Sequence, residues 1–388
     1  MGRLRLLDAL RAMGYGIWDI GYRLEAMNMK RILAGICRTL LGVVFVFSGV
    51  VKAIDPLGTV YKIEDYLKAF GGFFTDLLPL AEAAAWGLIV LELLLGVCML
   101  LNVRTQWTAW ISLLFYCLMT PLTLYIALTN PVSDCGCFGD AIVLTNWQTF
   151  WKNVVLIILA ILLIALRKSV RELWQPWVEG VIAIVTIVLA VAFMGWTKNH
   201  LPIKDFRPYK IGNHLPTLME YPEDAEQDQY EITLVYEQNG VEQTFTIENY
   251  PKGDSTWTYV RTDSKLIKKG YEPPIHDLEI INAEGEDLTW DILESEEPVT
   301  LVVMYDLQKA DKKQMDKVER LLGDEAKGYI LTGSGTDEII SFSLEYPALS
   351  ECICTCDPVT LKTIVRANPG VVVLQNGVVI DKYNVRNR

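Results

Sequence analysis

The sequence predicts an α-helical membrane bundle of about five transmembrane helices followed by an acidic α/β domain outside the cytoplasm. Three observations lead there. Hydrophobic residues make up 51% of 388 positions, a large share for a soluble chain. Five apolar stretches approach the roughly 20 residues of helix that cross a hydrocarbon core of about 30 Å. The charge is split, since residues 198–388 hold about 20 Lys+Arg against about 34 Asp+Glu, leaving the first half slightly basic.

The stretches run Ile32–Val51, Ala83–Val103, Trp107–Leu128, Phe150–Leu166 and Val178–Trp196. A soluble core would interrupt such runs with polar faces. Lys and Arg are retained on the cytoplasmic side of short loops. Arg3, Arg5, Arg11, Arg23, Lys30 and Arg31 precede the first span, Arg104 follows the second, and Arg167, Lys168 and Arg171 follow the fourth. The connection from Asn130 to Thr149 has no Lys or Arg. These charges place the N-terminus in the cytoplasm, and that connection and the C-terminal half outside. The acidic tail excludes nucleic acid as a partner, and the bilayer is the first partner expected.

Met1–Asn28 lacks the apolar core and cleavage site of a secretory signal and reads as a cytoplasmic extension. Met27 or Met29, just before Lys30-Arg31, reads as a start for the first span. The expected domains are this extension (1–28), the transmembrane domain (29–197), a β-rich connector (198–270) and an α/β domain (271–388).

Polar groups inside spans are costly in lipid unless paired or hydrated. Arg38 and Glu92 lie on antiparallel helices at depths of roughly 10 and 16 Å from the cytoplasmic face at 1.5 Å per residue. Pairing between them is expected, with snorkelling of Arg38 and protonation of Glu92 as the alternative. Asn153 is placed to bond a neighbouring helix. Tryptophans 107, 110, 147, 151, 174, 177 and 196 cluster near span ends, as interfacial anchors do. Cys37, Cys98 and Cys117 fall within spans and read as small apolar packing groups.

The third-to-fourth connection contains Cys135-Gly136-Cys137-Phe138-Gly139-Asp140. A disulfide across one residue closes a small ring, and bridges away from relaxed geometry are the labile, exchanging ones. Gly136 gives the backbone freedom such a ring needs.

Arg38, Ser48-Gly49-Val50-Val51-Lys52, Asp55-Pro56, Glu92 and the CGCFGD loop, followed by Trp147 and Asn153, resemble the DoxX and MauE group of membrane proteins. The pattern is similar to its Bacteroidetes-type members, which append a large C-terminal domain. This resemblance implies a four-helix core similar to the vitamin K epoxide reductase and DsbB redox bundles. It also implies thiol exchange at Cys135 and Cys137, an envelope protein thiol as partner and a quinone as candidate acceptor. Vitamin K epoxide reductase relatives use CxxC and a second cysteine pair, whereas here the pair is CxC and residues 53–80 lack cysteine.

In the C-terminal part, strands are expected at Leu278–Gly285, Val299–Tyr305, Tyr329–Leu331, Val371–Gln375 and Val378–Tyr383. Helices are expected at Lys309–Leu322, Asp337–Glu345 and from Asp357 through Ala367. Asn376-Gly377 signals a two-residue hairpin, as does Asn239-Gly240 in the connector. The order resembles a thioredoxin or TlpA-type domain, and this resemblance implies a cis peptide before Pro369. At that family's CxxC position the chain reads Asp306-Leu307-Gln308-Lys309, with no thiolate to exchange. Cys352, Cys354 and Cys356 alternate, and on an extended segment they would share one face. They form either a local bridge with a leftover thiol or a relay for Cys135-Cys137. No metal is expected, since the spacing is unlike structural zinc motifs and the only histidines are His200, His214 and His276.

Two functions follow. One is a membrane thiol-disulfide redox protein, and the other is a non-catalytic scaffold whose degenerate thioredoxin-like domain binds an envelope partner.

Overall fold

A computed structural model describes residues 17–132, 134–170, 173–268, 270–323 and 327–388. Residues 1–16 of the expected extension, Ser133 of the cysteine loop and Arg171 of the basic connection lie outside the described residues. The chain forms two compact units. Of the described residues, the first comprises those up to 207 with 365–370 and 383–388, and the second comprises those of 208–364 with 371–382.

Five helices of the first unit are long and apolar enough to cross a membrane: Met27–Ile54, Gly72–Leu100, Thr105–Thr129, Asn146–Ala165 and Pro176–His200. The first belongs to α1 (Ile17–Ile54) and the second is a 3-10 entry turn plus α3 (Ala81–Leu100). The others are α4 (Thr105–Thr129), α5 (Asn146–Ala165) and α6 (Pro176–His200). Between the first two spans lies α2 (Pro56–Phe70), in a stretch where no element is predicted from the sequence. Asp55 starts it by accepting from Gly58 N at 3.0 Å, and Pro56 occupies the first turn, where its missing N–H costs nothing.

Small residues let backbones close in where lipid offers no hydrophobic drive between helices. A Cβ on Gly96 would lie 2.6 Å from Val46 N, so α1 and α3 touch backbone to backbone there. Leu41 and Phe45 from α1, Leu95 and Met99 from α3, Tyr116 from α4 and Leu156 and Leu163 from α5 share one apolar core. Met194 brings α6 against Ala53 and Ile89 in a separate cluster. α5 begins at a reciprocal cap, with Thr145 Oγ1 accepting from Gln148 N and Gln148 Oε1 accepting from Thr145 N. The tryptophans at span ends are largely exposed, as anchors require: Trp107 and Trp177 are each 68% accessible.

The second unit contains α7 (Leu215–Met219) and two sheets. β1 (Gln229–Gln238), β2 (Val241–Thr246) and β3 (Thr258–Lys268) form an antiparallel sheet in the order β2-β1-β3. Asn239 and Gly240 both take positive φ at the β1–β2 turn, the twist a two-residue hairpin needs.

The second sheet has the order β6-β5-β4-β7-β8. β4 (Val299–Val303) pairs in parallel with β5 (Gly328–Thr332), and β5 with β6 (Ile353–Thr355). β7 (Gly370–Gln375) and β8 (Val378–Asn384) follow around the Asn376-Gly377 turn. The helices are α8 (Thr289–Leu293), α9 (Met315–Gly323), α10 (Thr336–Glu345) and α11 (Pro358–Ile364). α9 begins later than its amphipathic pattern, because Asp311 first caps a 3-10 turn at Lys312–Gln314. The Asn368-Pro369 peptide is cis.

Candidate functional site

The site grows from the last turns of α1. Ser48 and Lys52 stand one helical turn apart and face α3. Lys52 Nζ donates to both Glu92 oxygens at 2.7 and 2.9 Å and to Ser48 Oγ at 2.9 Å. Lys52 is 6% exposed and Glu92 4%, so this is an ion pair withdrawn from solvent. The Ser48 hydroxyl lies 2.7 Å from the Cys137 carbonyl oxygen and 3.0 Å from Glu92 Oε2, and shares its single proton between them. A buried ionic group therefore reaches the backbone of the cysteine loop through one serine.

α2 holds the other flank of the loop. Tyr66 donates to the Cys135 carbonyl at 2.8 Å, and Lys62 pairs with Asp134 at 2.7 Å. Asp134 also accepts from Gly136 N at 2.8 Å. Gly136 takes φ +64°, and a Cβ there would press on Lys62 at 3.1 Å, so both backbone conformation and space select glycine. Phe138 packs edge-on against Phe47, with the Lys152 ammonium 4.5 Å from its ring centre.

Within this frame the Cys135 and Cys137 sulfurs lie 2.8 Å apart. Cys137 is held down to about 6, chiefly by the hydrogen bond from the Cys135 thiol; burial opposes this, and the Lys152 and Lys52 ammoniums reinforce it. The Cys135 thiol is pushed up by the same hydrogen bond and by burial. The arrangement is a thiolate at Cys137 beside a proton-bearing Cys135, the asymmetry that exchange chemistry uses. Burial likewise raises the Tyr66 phenol, which stays a donor.

Behind the pair lies a cavity of about 310 Å³ within the helices. Val44, Phe45, Leu88, Phe115, Met119 and Leu122 give it apolar walls, and its polar or reactive lining includes Lys52, Glu92, Lys152, Asn153 and the two cysteines. Asn153 Nδ2 donates to Thr123 Oγ1 at 3.2 Å, joining α5 to α4.

Four residues singled out from the sequence, Cys135, Cys137, Glu92 and Asn153, therefore meet around one cavity. The expected Arg38–Glu92 pair does not form. Arg38 donates to the Met99 carbonyl and, at 3.1 Å, to that of Leu100, while Glu92 pairs with Lys52. The crossing of α1 and α3 sets Arg38 against the C-terminal turn of α3, whose last carbonyls lack helical partners. Lys52, one residue beyond the span as read from the sequence, lies level with Glu92. The signal for it was the Ser48–Lys52 spacing, which puts hydroxyl and ammonium on one face. Tyr66, Lys62 and Lys152 were also missed, because each looks like an ordinary loop or helix-end residue.

Cys352, Cys354 and Cys356 belong to the second unit, where Cys354 and Cys356 are buried around β6. Burial pushes their thiols up to about 11 and about 12, and raises Cys352 as well. Such thiols are poor nucleophiles near neutral pH. Pro369 lies in the 365–370 segment of the first unit. Among the described residues, no group of three or more His, Cys, Asp or Glu is arranged to hold a metal ion.

The five apolar helices and the cavity among them define a multi-pass membrane protein. Residues 30–166 match the family model of the methylamine utilisation protein MauE, a match that spans the first four apolar helices. Residues 230–269 match a domain of unknown function, DUF8463. No curated protein and no solved structure matches the chain.

Proposed function

We propose that this chain is a thiol-disulfide exchange protein of the bacterial inner membrane, working through Cys135 and Cys137 on the extracytoplasmic side. The observation that carries the reading is the thiol pair itself: two sulfurs 2.8 Å apart, one favoured as thiolate, at an apolar cavity within the bundle. The MauE-type domain agrees with a place in a redox pathway. The loop charges support the orientation, with the N-terminus cytoplasmic and the cysteine loop and C-terminal domain periplasmic.

In the forward reaction a partner thiolate attacks Cys135 Sγ of the oxidised pair, and Cys137 leaves because the thiol of lower pKa is the better leaving group. The partner's second thiolate then attacks its own mixed-disulfide sulfur. This releases Cys135 and completes the partner's disulfide. Two electrons now reside on the pair, with one proton on Cys135 and Cys137 left as a thiolate, and the remaining proton of the partner's two thiols passes to solvent. Reoxidation needs a two-electron, two-proton acceptor, and a lipid-soluble quinone fits the volume and apolar walls of the cavity. When bound, such a group would take up the electrons, and Lys52, Tyr66 and Lys152 are among the residues of the cavity lining that would surround it.

The second sheet's 2-1-3-4-like arrangement of β5-β4-β7-β8 supports a thioredoxin-like domain. The absence of cysteine at 306–309 and the raised thiols of Cys354 and Cys356 favour partner binding over catalysis for it. A DoxX-like core for the four helices around the shared apolar cluster is part of the same reading.

In the reverse direction the Cys135 thiolate attacks the disulfide of an oxidised partner and Cys137 resolves the mixed disulfide, so replacing Cys137 by Ser leaves that intermediate without its resolving thiol. Non-reducing gels of that variant should show a mixed disulfide with an envelope protein, lost in Cys135→Ser. Trapping of nothing in either variant would leave the non-catalytic scaffold as the better account.

A further inference from the structure

A second cluster of buried charge lies beside the thiol loop. Arg366, 7% exposed, donates from Nε to Asp55 at 2.8 Å and from Nη2 to Asp140 at 3.3 Å, and its guanidinium lies 5.2 Å from the centre of the Tyr61 ring. Arg207, also buried, pairs with Asp205 at 2.8 Å. Residues 365–370 and 207 belong to the same compact unit as the helices.

The two carboxylates that Arg366 bridges are not equivalent. Asp55 caps the start of α2, the helix that supplies Lys62 and Tyr66 to the loop. Asp140 lies on the 3-10 turn directly after Cys137-Phe138. The loop is thus held before Cys137 by Lys62 and Tyr66, at Cys137 by Ser48, and after it by Arg366. Burial pushes the Asp140 carboxyl up against the pull of Arg366, with Asp55 adding repulsion. Without this guanidinium, the half-buried Asp55 and Asp140 carboxylates would lose the hydrogen-bonded bridge between them and keep only the more distant pull of Arg207, and separation of Asp140 from Asp55 would drag that turn with it.

We propose that Arg366 is a positioning residue of the thiol pair: by bridging Asp55 and Asp140 it fixes the turn after Cys137 and so sets the exposure and charge environment of the Cys137 sulfur. The proposal rests on the exchange reading above. It gives a residue far along the chain, outside the MauE-matched segment, a role in the chemistry of the loop.

The test uses the full chain in membranes and follows the rate of maleimide alkylation at Cys137 against pH, the site being read by mass spectrometry. The charged or titratable groups facing Cys137 are Cys135, Lys52, Tyr66, Glu92, Tyr116 and Lys152, and none is altered. Arg366→Gln should move the midpoint upward by about one pH unit, a roughly tenfold loss of rate below it. Adding Asp140→Asn removes the carboxylate that has lost its hydrogen-bonded partner and should return the midpoint most of the way, and Arg366→Lys should fall between. If Arg366→Gln does not fold, the double variant and Arg366→Lys carry the test. A wild-type profile in every folded variant, or a double variant no better than the single one, overturns the proposal. Failure of the wild-type pair to cycle at all would instead remove the exchange reading, whatever Arg366 does.

Discussion

Lys52→Met probes a charge of the first unit that is withdrawn from solvent, 6% exposed. It leaves the Glu92 carboxylate buried, with the shared Ser48 hydroxyl as its one remaining hydrogen-bond donor among the described contacts. Breaking a buried ion pair by removing one partner costs about 3–5 kcal/mol, because the other charge stays desolvated. At about 2–4 °C per kcal/mol for a unit of 150–250 residues, the melting temperature should fall by roughly 6–20 °C. Lys52→Met with Glu92→Leu removes both charges and keeps the volume apolar, so it should recover most of that loss. The assay is thermal unfolding of the detergent-solubilised full chain, followed by an environment-sensitive dye on core cysteines such as Cys37. A single variant melting within about 1 °C of wild type, or a double variant showing additive losses, would refute the claim that the pair is a mutually dependent buried unit.

Two further outcomes are expected. With Cys137 held at about 6, its alkylation rate should reach half its plateau near pH 6 and stay high above it, falling as the thiolate is protonated below. At pH 7.4 its thiolate fraction exceeds that of an ordinary thiol of pKa about 8.5 by roughly tenfold, so Cys137 should be labelled well before Cys354 or Cys356. A profile with its midpoint above pH 8 would contradict the assigned asymmetry. For topology, alkaline phosphatase fused after Arg388 should be active and a fusion after Lys168 inactive, since the basic connections mark the cytoplasmic side. The reverse pattern would invert the orientation.

Much of the membrane half was legible because lipid imposes length and apolarity directly on sequence, and every observed span overlaps a stretch read from composition. The hairpins at Asn239-Gly240 and Asn376-Gly377 were legible because the positive φ of a tight turn selects those residues. α2 was not, since its charges look like those of a solvated loop. What makes it a helix is the Asp55 cap, together with burial of Val60 against Ala81 and Ala85.

The site was legible in part. The cysteine pair, Glu92 and Asn153 stood out as costly or reactive groups in an apolar setting. The partner of Glu92 did not, because depth counted along each helix misses where two helices cross. That crossing is fixed by the close approach at Gly96 and Val46. Arg366 was invisible for another reason: its partners lie 311 and 226 positions away in the chain, and no local pattern encodes such a pairing.

The measurement that bears most directly on the central claim is the redox state of Cys135 and Cys137 in intact cells. Free thiols are blocked by alkylation before, during and after a brief pulse of mild reductant, and the full chain is then resolved by the mass each thiol gains. The account predicts a disulfide between Cys135 and Cys137 at rest, both thiols labelled during the pulse, and return of the disulfide once the reductant is removed. Both loop cysteines staying labelled at every time point would contradict it.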